Sequence, residues 1–419
     1  MKVAVVLKAC CQTVCVRRHI CGQLAACHSA LQLHNERRPL YHSRKYSTSL
    51  AEQFKLATDS KQKQHLKTIF RTEETDPTKH TDVHEGLFYT VSSEDVKRLF
   101  QKSLPPIFNK QITTFQEACL MVREPALELF HYINHFNYNH PVPRFMLYGK
   151  RGSGKTMTLF HIIHHCAQKD WVIVHVPWPA FWLNHYKEVS VSAHSAHRVD
   201  LPYEASDWLQ HFCTQNFDLL KDIKTTQTYK WTKRESAAEG TPLLELIDFG
   251  LNRVKFAADC VGALLREIRV QASDNKFRVL VAVECVNAFW KDTTIRTESR
   301  DFVPAEKLSL VHNFKKMLRS DWTNGIALCT VDVSINLLHE RHTHTPHFLL
   351  GKKGFEFLDP FIPVLVPEYS DKEVFSCLEY YIDRKWIQNP KGKTDEGKKE
   401  LIYLSDKNPH ALNRMCAPW

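Results

Sequence analysis

Five apolar runs of strand length punctuate the chain: FMLY at 145–148, WVIVHVP at 171–177, RVLVAVE at 278–284, GIALCTV at 325–331 and FIPVLVP at 361–367. Each is bounded by polar or turn-forming residues, and none alternates apolar with polar positions, as a strand with one wet face would. Between and around them the apolar residues fall at helical spacing. That pattern predicts helices at 93–103 and 114–135, separated by the breaker LPP at 104–106, and further helices at about 155–168, 204–222, 243–271, 371–388 and 395–416. Residues 47–90 are polar and predict irregular structure. Buried strands separated by helices predict an α/β fold, a parallel five-stranded sheet covered on both faces. The gap of about 100 residues between the second and third runs exceeds a plain crossover, and predicts a helical insertion at about 178–275. The pattern divides the chain into a leader at 1–46, an N-terminal extension at 47–110, a sheet domain at 111–368 and a helical, lid-like region at 369–419. No internal repeat or low-complexity array is present.

One junction carries recognisable chemistry. FMLY runs directly into Gly149-Lys150-Arg151-Gly152-Ser153-Gly154-Lys155-Thr156, which matches GxxxxGK[ST] between an apolar strand and a helix. The glycines let successive backbone N–H groups turn inward toward phosphates, and the following helix adds its positive end. Lys155 is expected to reach the β- and γ-phosphates, and the Thr156 hydroxyl to ligate Mg²⁺. The chain has only 13 glycines in 419 residues, yet three fall in this octet, against an ordinary usage of about 7%. That concentration argues against a ligand-free glycine turn.

A P-loop sheet usually offers a second acid at a neighbouring strand end, holding the metal through water. Glu284, ending RVLVAVE, is the candidate for that metal contact and for any catalytic role; an ordinary strand-end acid is the bland reading. The next residue is Cys285, where many P-loop ATPases carry a second carboxylate, so one acid occupies two places. No NKxD follows, so guanine, if bound, is read by other means.

Charge changes the picture little. The formal net charge is +10, but residues 1–46 hold eight basic residues against Glu36 alone, so seven of the ten net charges sit in the leader. That basic, nearly acid-free composition fits a mitochondrial transit peptide; a disordered basic tail has the same composition. Five of the 13 cysteines lie in the leader and none of the 13 forms a CxxC pair, which indicates neither a zinc ribbon nor a disulfide framework. No apolar run approaches the roughly 20 residues of a membrane span, and no membrane partner is expected.

Three further stretches are weaker signals. LHERHTHTPH at 338–347 is histidine-rich without metal-ligand spacing and reads as a polar loop. YKWTKRES at 229–236 interleaves aromatics with Lys230, Lys233 and Arg234, a pattern shared by RNA-contacting segments and solvated loops. SDKNPHALNRMC at 405–416 lies where AAA+ ATPases carry a sensing arginine; Arg414 is the candidate, and a surface arginine the simpler reading.

Several idiosyncratic phrases point to one family. DPTKHTDVHEG, TFQEACLMVREPALELFHYI, MLYGKRGSGKT, YKWTKRES, LVAVECVNAFW, LLGKKGFEFLDPFIPVLV and EGKKELIYLSDKNPHALNRMC together resemble the death-associated protein three family of the mitochondrial small ribosomal subunit. The likeness runs from about residue 72 to the C-terminus. It implies a P-loop domain of AAA+ and STAND type with a small C-terminal helical region. It also implies residence in the matrix, in the head of the mitochondrial small ribosomal subunit, and binding of GTP or GDP with Mg²⁺. The implied partners are ribosomal RNA, small-subunit proteins and, across the subunit interface, large-subunit proteins; a link to apoptosis belongs to the family too. Gly149 to Thr156 carry over as the phosphate loop, whereas Glu284 stands where this family is expected to have Asp. Slow hydrolysis at most is expected. The competing reading is a free matrix AAA+-type ATPase that remodels protein partners; a death-signalling adaptor, using the fold only for binding, is a third.

SRKYSTS at 43–49 matches a matrix-processing site, with arginine two residues before an aromatic. Cleavage after Tyr46 is expected, so sequencing of the native protein should begin at Ser47; an intact Met1 would contradict it.

Overall fold

The computed structural model describes residues 69–193, 195, 197–335 and 343–417. The leader, with its expected cleavage site, and the first half of the histidine-rich stretch lie outside them. In chain order the principal strands are β1 (Phe88–Val91), β2 (Ala118–Met121), β3 (Arg144–Tyr148), β4 (Val172–Val176), β5 (Val279–Val283), β6 (Gly325–Thr330) and β7 (Ile362–Leu365). The principal helices are α1 (Pro106–Phe115), α2 (Glu124–His135), α3 (Lys155–Ala167), α4 (Pro202–Leu220), α5 (Leu243–Asn252) and α6 (Ala257–Ser273). They continue with α7 (Ser309–Met317), α8 (Pro346–Leu358), α9 (Asp371–Asp383), α10 (Asp395–Ser405) and α11 (Pro409–Cys416).

The five expected strands form one sheet in the order β7-β3-β6-β5-β4, every neighbouring pair parallel. Its alternation accounts for the unbroken apolar runs. Val172, Val174 and Val176 of β4, Val279, Val281 and Val283 of β5, and Ala327 and Cys329 of β6 pack into a core under the helices from α4 to α8. Ile173, Leu280, Ala282, Ile326 and Leu328, with Phe145 and Leu147 of β3, pack into a second core with α2 and α3. Both faces of β3, β4, β5 and β6 are dry, so no polar residue alternates with the apolar ones, while the edge strand β7 buries Val364 and exposes Pro363 and Leu365. The long gap is filled mainly by α4, α5 and α6, which belong to the first core.

Three expected elements differ from the structure. The single helix at 114–135 is interrupted. Gln116, in the left-handed region at φ 57°, ends α1, and the next residues form β2, which pairs antiparallel with β1 inside the stretch expected to be irregular. Ala-Cys-Leu-Met contains no β-branched residue, so propensity favoured helix; burial of all four decided for strand. The expected helix at 243–271 is two, α5 and α6, joined by a short 3₁₀ turn at Val254–Phe256. The expected helix at 395–416 is also two. Asp406 and Lys407 are both left-handed, Asn408 caps α11 by accepting from the Ala411 N–H, and Pro409 opens it. The small C-terminal helices pack with β1, β2 and Phe115 into a third core. No helix among the described residues is long and apolar enough to cross a membrane.

An edge strand presents unpaired backbone groups, and β4 is covered by side chains of α4. Asn216 accepts from the Ile173 N–H at 2.7 Å and donates back to the Ile173 carbonyl at 2.9 Å, while the Trp208 indole N–H donates to the His175 carbonyl at 2.8 Å. Replacing Asn216 by Leu strands a buried donor and acceptor, at a cost of about 1–3 kcal/mol for each. The Asn216→Leu variant should therefore unfold at clearly lower urea; an unchanged midpoint would show that α4 does not hold this edge.

Candidate functional site

The glycine octet leaves β3 at the C-terminal edge of the sheet and enters α3. Gly149, Gly152 and Gly154 all have positive φ (150°, 81° and 104°). A side chain at two of them would collide with structure: a Cβ on Gly149 would sit 2.3 Å from the Val366 carbonyl oxygen, and one on Gly152 would sit 2.7 Å from both Asn408 Oδ1 and His410 Cβ. Glycine is thus needed for conformation and for close approach together. Lys155 is buried, and its ammonium donates to the carbonyls of Gly149 (3.1 Å) and Lys150 (3.0 Å), which holds a cation inside the curl of the loop. Burial lowers its pKa, and the nearby Asp332 acts against that shift.

The second acid is where the strand pattern put it. Only β6 separates β5 from β3, so Glu284, just past the end of β5, faces the start of α3. Thr156 Oγ1 donates to Glu284 Oε2 at 3.2 Å, bringing the two expected metal-holding groups together. Glu284 is buried; loss of solvent is the first cause that pushes its carboxyl up to about 8, with the Thr156 hydrogen bond acting the other way. Its other oxygen lies 3.5 Å from His175 Nε2 with no hydrogen bond made by either atom. Burial also drives His175 down to about 3, so near neutral pH these two are a neutral pair rather than an ion pair. His175 Nδ1 in turn lies 3.3 Å from His211 Nε2. Cys285 is buried, has left-handed backbone and donates its N–H to Thr330 Oγ1, so it supplies no carboxylate.

Four participants escaped the sequence reading. Asp332, two residues beyond β6, lines the same cavity as Lys155 and Thr156 and is a second carboxylate there. Its backbone is held both ways by the Asn287 side chain, and its Oδ1 accepts from the Ser334 N–H. The strand-end position that singled out Glu284 would have found it. Arg123, buried at the start of α2, donates to the Ser153 carbonyl at 2.7 Å and pairs with Glu373 of α9 at 2.8 Å. Asn408 donates to the Arg151 carbonyl at 2.9 Å, and the His410 N–H to the Gly152 carbonyl at 3.2 Å, so the first turn of α11 sits on the loop. Lys150 adds an ion pair with Glu368 at 2.8 Å.

Beside the loop lies a cavity of about 270 Å³ between α1 and α11. Phe108, Met121, Tyr369 and Tyr381 give it apolar walls. Gln111 and Asn413, bonded to each other at 3.1 Å, supply amide groups. Arg414, the candidate sensing arginine, is exposed on α11, and YKWTKRES contributes no residue to this cavity.

A family model described as mitochondrial ribosomal death-associated protein 3 matches residues 120–415, most of the chain, including the glycine loop, Glu284, Asp332, Asn408 and His410. The chain belongs to that family. Two curated relatives, both called small ribosomal subunit protein mS29, are 45% identical to it. That of Bos taurus matches over 354 residues, 84% of this chain and 89% of its own length. That of Mus musculus matches over 351 residues, 84% and 90%. Among solved structures, a Walker-type ATPase of Pyrococcus abyssi aligns with 70% of this chain and 65% of its own at 14% identity and a TM-score of 0.37. The ORC2 protein of Aeropyrum pernix aligns with 76% and 63% at 15% identity and a TM-score of 0.32. At those scores the fold assignment rests on the sheet order and strand polarity described above.

The buried carboxyl gives the site a pH signature. Glu284 has a folded-state pKa raised from 4.5 to about 8, so the folded chain binds a proton that the unfolded chain has released across that window. In nucleotide-free protein, stability should fall as pH rises through this interval. Glu284→Gln should remove that part of the slope while leaving the histidine-dependent loss at lower pH. An identical pH–stability profile for the variant would show that the carboxyl is already ionised.

Proposed function

We propose that this chain is a component of the mitochondrial small ribosomal subunit, resident in the matrix, that retains a guanine nucleotide as part of its structure. Membership of the death-associated protein family and the name shared by its mammalian relatives support the ribosomal half of that reading. Ribosomal RNA, small-subunit proteins and large-subunit proteins across the subunit interface are the partners it implies. The family description also carries the words death-associated, and a role in apoptosis is the second one implied, with no residue assigned to it.

One observation carries the nucleotide half: a loop whose positive-φ glycines leave no room for side chains, closed around a buried lysine ammonium bonded to loop carbonyls. A buried cation in a glycine-rich strand-to-helix turn, next to the positive N-terminal end of α3, fits a phosphate chain. The N–H groups of Gly149 to Thr156 and the Lys155 ammonium would hold the phosphates of GTP or GDP. Thr156, and Glu284 through water, would hold Mg²⁺, whose charge offsets that of the phosphates. Gln111 and Asn413 are the amides placed to meet a base in the adjoining cavity.

Retention is favoured over turnover by what locks the loop. Arg123 fixes it from α2, and α11 rests on it through Asn408 and His410. Glu284 is tied to Thr156 and faces a neutral histidine, and Asp332 is tied to Ser334, so neither carboxylate has the freedom of a water-activating base. Slow hydrolysis at most is consistent with that arrangement.

Mass spectrometry of the native protein should find guanine nucleotide co-purifying near stoichiometry, and Lys155→Ala should abolish it. Occupancy unchanged in the variant would overturn the role of the loop. On sucrose gradients of mitochondrial lysate the protein should run with the small subunit; sedimentation only as free oligomers would favour the remodelling ATPase instead.

A further inference from the structure

A second cavity, of about 720 Å³, shares no lining residue with the nucleotide cavity. Its walls come from α6, α7, the two-stranded ribbon that carries Tyr229 and Lys230, and the loop before Val199. Arg198, Lys230, Arg266, Arg269 and Lys316 line it against a single carboxylate, Asp259. Arg269 pairs with Asp321 at 3.2 Å. Among the described residues, no ion pair involves Arg198, Lys230, Arg266 or Lys316. The crowding is felt within the group. The Lys316 ammonium is lowered from its ordinary value, first by burial and then by Arg198, Arg319, Arg269 and Arg266. His312, one turn back on α7, is pushed down to about 4, first by burial and then by Arg198, Lys316, Arg319 and Lys315.

The aromatic part of the wall is preformed. Tyr229 and Trp231 stack with ring centres 5.9 Å apart and planes 11° from parallel, and Trp231 stacks in turn on Phe249 at 5.5 Å. Buried Glu267 of α6 anchors the ribbon, accepting from the Tyr229 hydroxyl at 2.7 Å and from the Thr226 N–H at 2.9 Å. Like charges held close with few counter-ions destabilise a fold by themselves, and a polyanion in the groove would relieve that.

We propose that this groove binds single-stranded RNA, with Arg198, Lys230, Arg266, Arg269 and Lys316 on the phosphate backbone and the Tyr229–Trp231 wall against bases. Cations that track a backbone beside rigid aromatic rings are the two components of sequence-tolerant single-strand recognition. An acidic protein segment would use the cations but has no planar bases for the aromatic wall, which is why RNA is the favoured occupant. The YKWTKRES motif thereby acquires a place: its first three residues form the aromatic-basic rim.

The test is fluorescence anisotropy of the purified mature chain with a labelled oligouridylate of about 12 nucleotides. Across about 50–200 mM KCl, log K should fall linearly with log salt, by about 0.7 in slope for each phosphate engaged. The Arg266→Ala/Lys316→Ala variant should lose about tenfold or more in affinity and have a slope shallower by about 1.4. Trp231→Ala should weaken binding about fivefold or more with the slope unchanged, the mark of lost stacking rather than lost charge. Thermal midpoints confirm that both variants are folded. Wild-type affinity in the folded double variant would overturn the proposal, as would a polyglutamate of equal charge that binds as tightly as the RNA, which would assign the groove to a protein. The nucleotide reading is separable: if it fails, no nucleotide co-purifies, yet the RNA affinity and its salt slope persist.

Discussion

The Arg123 guanidinium is the point on which the geometry of the site depends. It makes a two-pronged pair with Glu373, at 2.8 and 3.2 Å, and donates to the carbonyls of Ser153, Pro367 and Glu368. It also lies over the Tyr369 ring, 5.0 Å from its centre. One planar cation therefore joins the β2–α2 junction, the phosphate loop, the exit from β7 and the start of α9. Glu373 is at the same time the third residue of α9 and closes its capping box with Ser370, so its carboxylate is committed both to the arginine and to the Ser370 N–H. A buried pair of this kind adds little net stability over a hydrophobic substitute, yet breaking one partner costs about 3–5 kcal/mol. Its value lies in position: five donors in a fixed fork leave the C-terminal helices one orientation on the loop.

That orientation has a consequence for chemistry. With α9 fixed, the left-handed pair Asp406–Lys407 turns the chain so that Asn408 can cap α11 and also reach the Arg151 carbonyl. The contacts that close the loop thus come from the chain's own end. Moving α11 away would break bonds to Arg151 and Gly152 and would strain the Lys150 pair with Asp406. A site sealed in this way exchanges its ligand only when those contacts open together, which suits a retained nucleotide better than repeated turnover.

What could be read in advance followed the range of the interaction. Strands β3 to β6 were legible because burial on both faces writes itself as consecutive apolar residues, and β7 because its residues are apolar although one face is exposed. The loop was legible because its glycines, Lys155 and Thr156 act within one octet, and Glu284 because a strand-end acid is a local pattern. The pairing of β1 with β2 was missed: the second strand is Ala-Cys-Leu-Met, whose propensity is helical and whose partner is about 30 residues away. Arg123 was invisible for the same reason in stronger form, since Glu373 is 250 residues distant and nothing near either residue marks it as a partner. The break in the last helix was different. The signal was in the sequence, as Asn-Pro at 408–409, and a helical stretch on both sides obscured it.

Charge illustrates the limit most clearly. Counted along the chain, most of the net positive charge belongs to the leader, and the rest looks unremarkable for its size. Counted in space, residues 198, 230, 266, 269 and 316 converge on one groove from four segments, with one carboxylate among them. Acids elsewhere on the surface cancel these cations in the sum without neutralising them where they stand, because screening confines each charge to within about 8–10 Å. The length over which a charge is felt is set by the solvent. The distance along the chain over which a reader averages is arbitrary. Net charge therefore describes a folded protein only when the fold leaves its charges mixed, and here α6, α7 and the ribbon between α4 and α5 sort them.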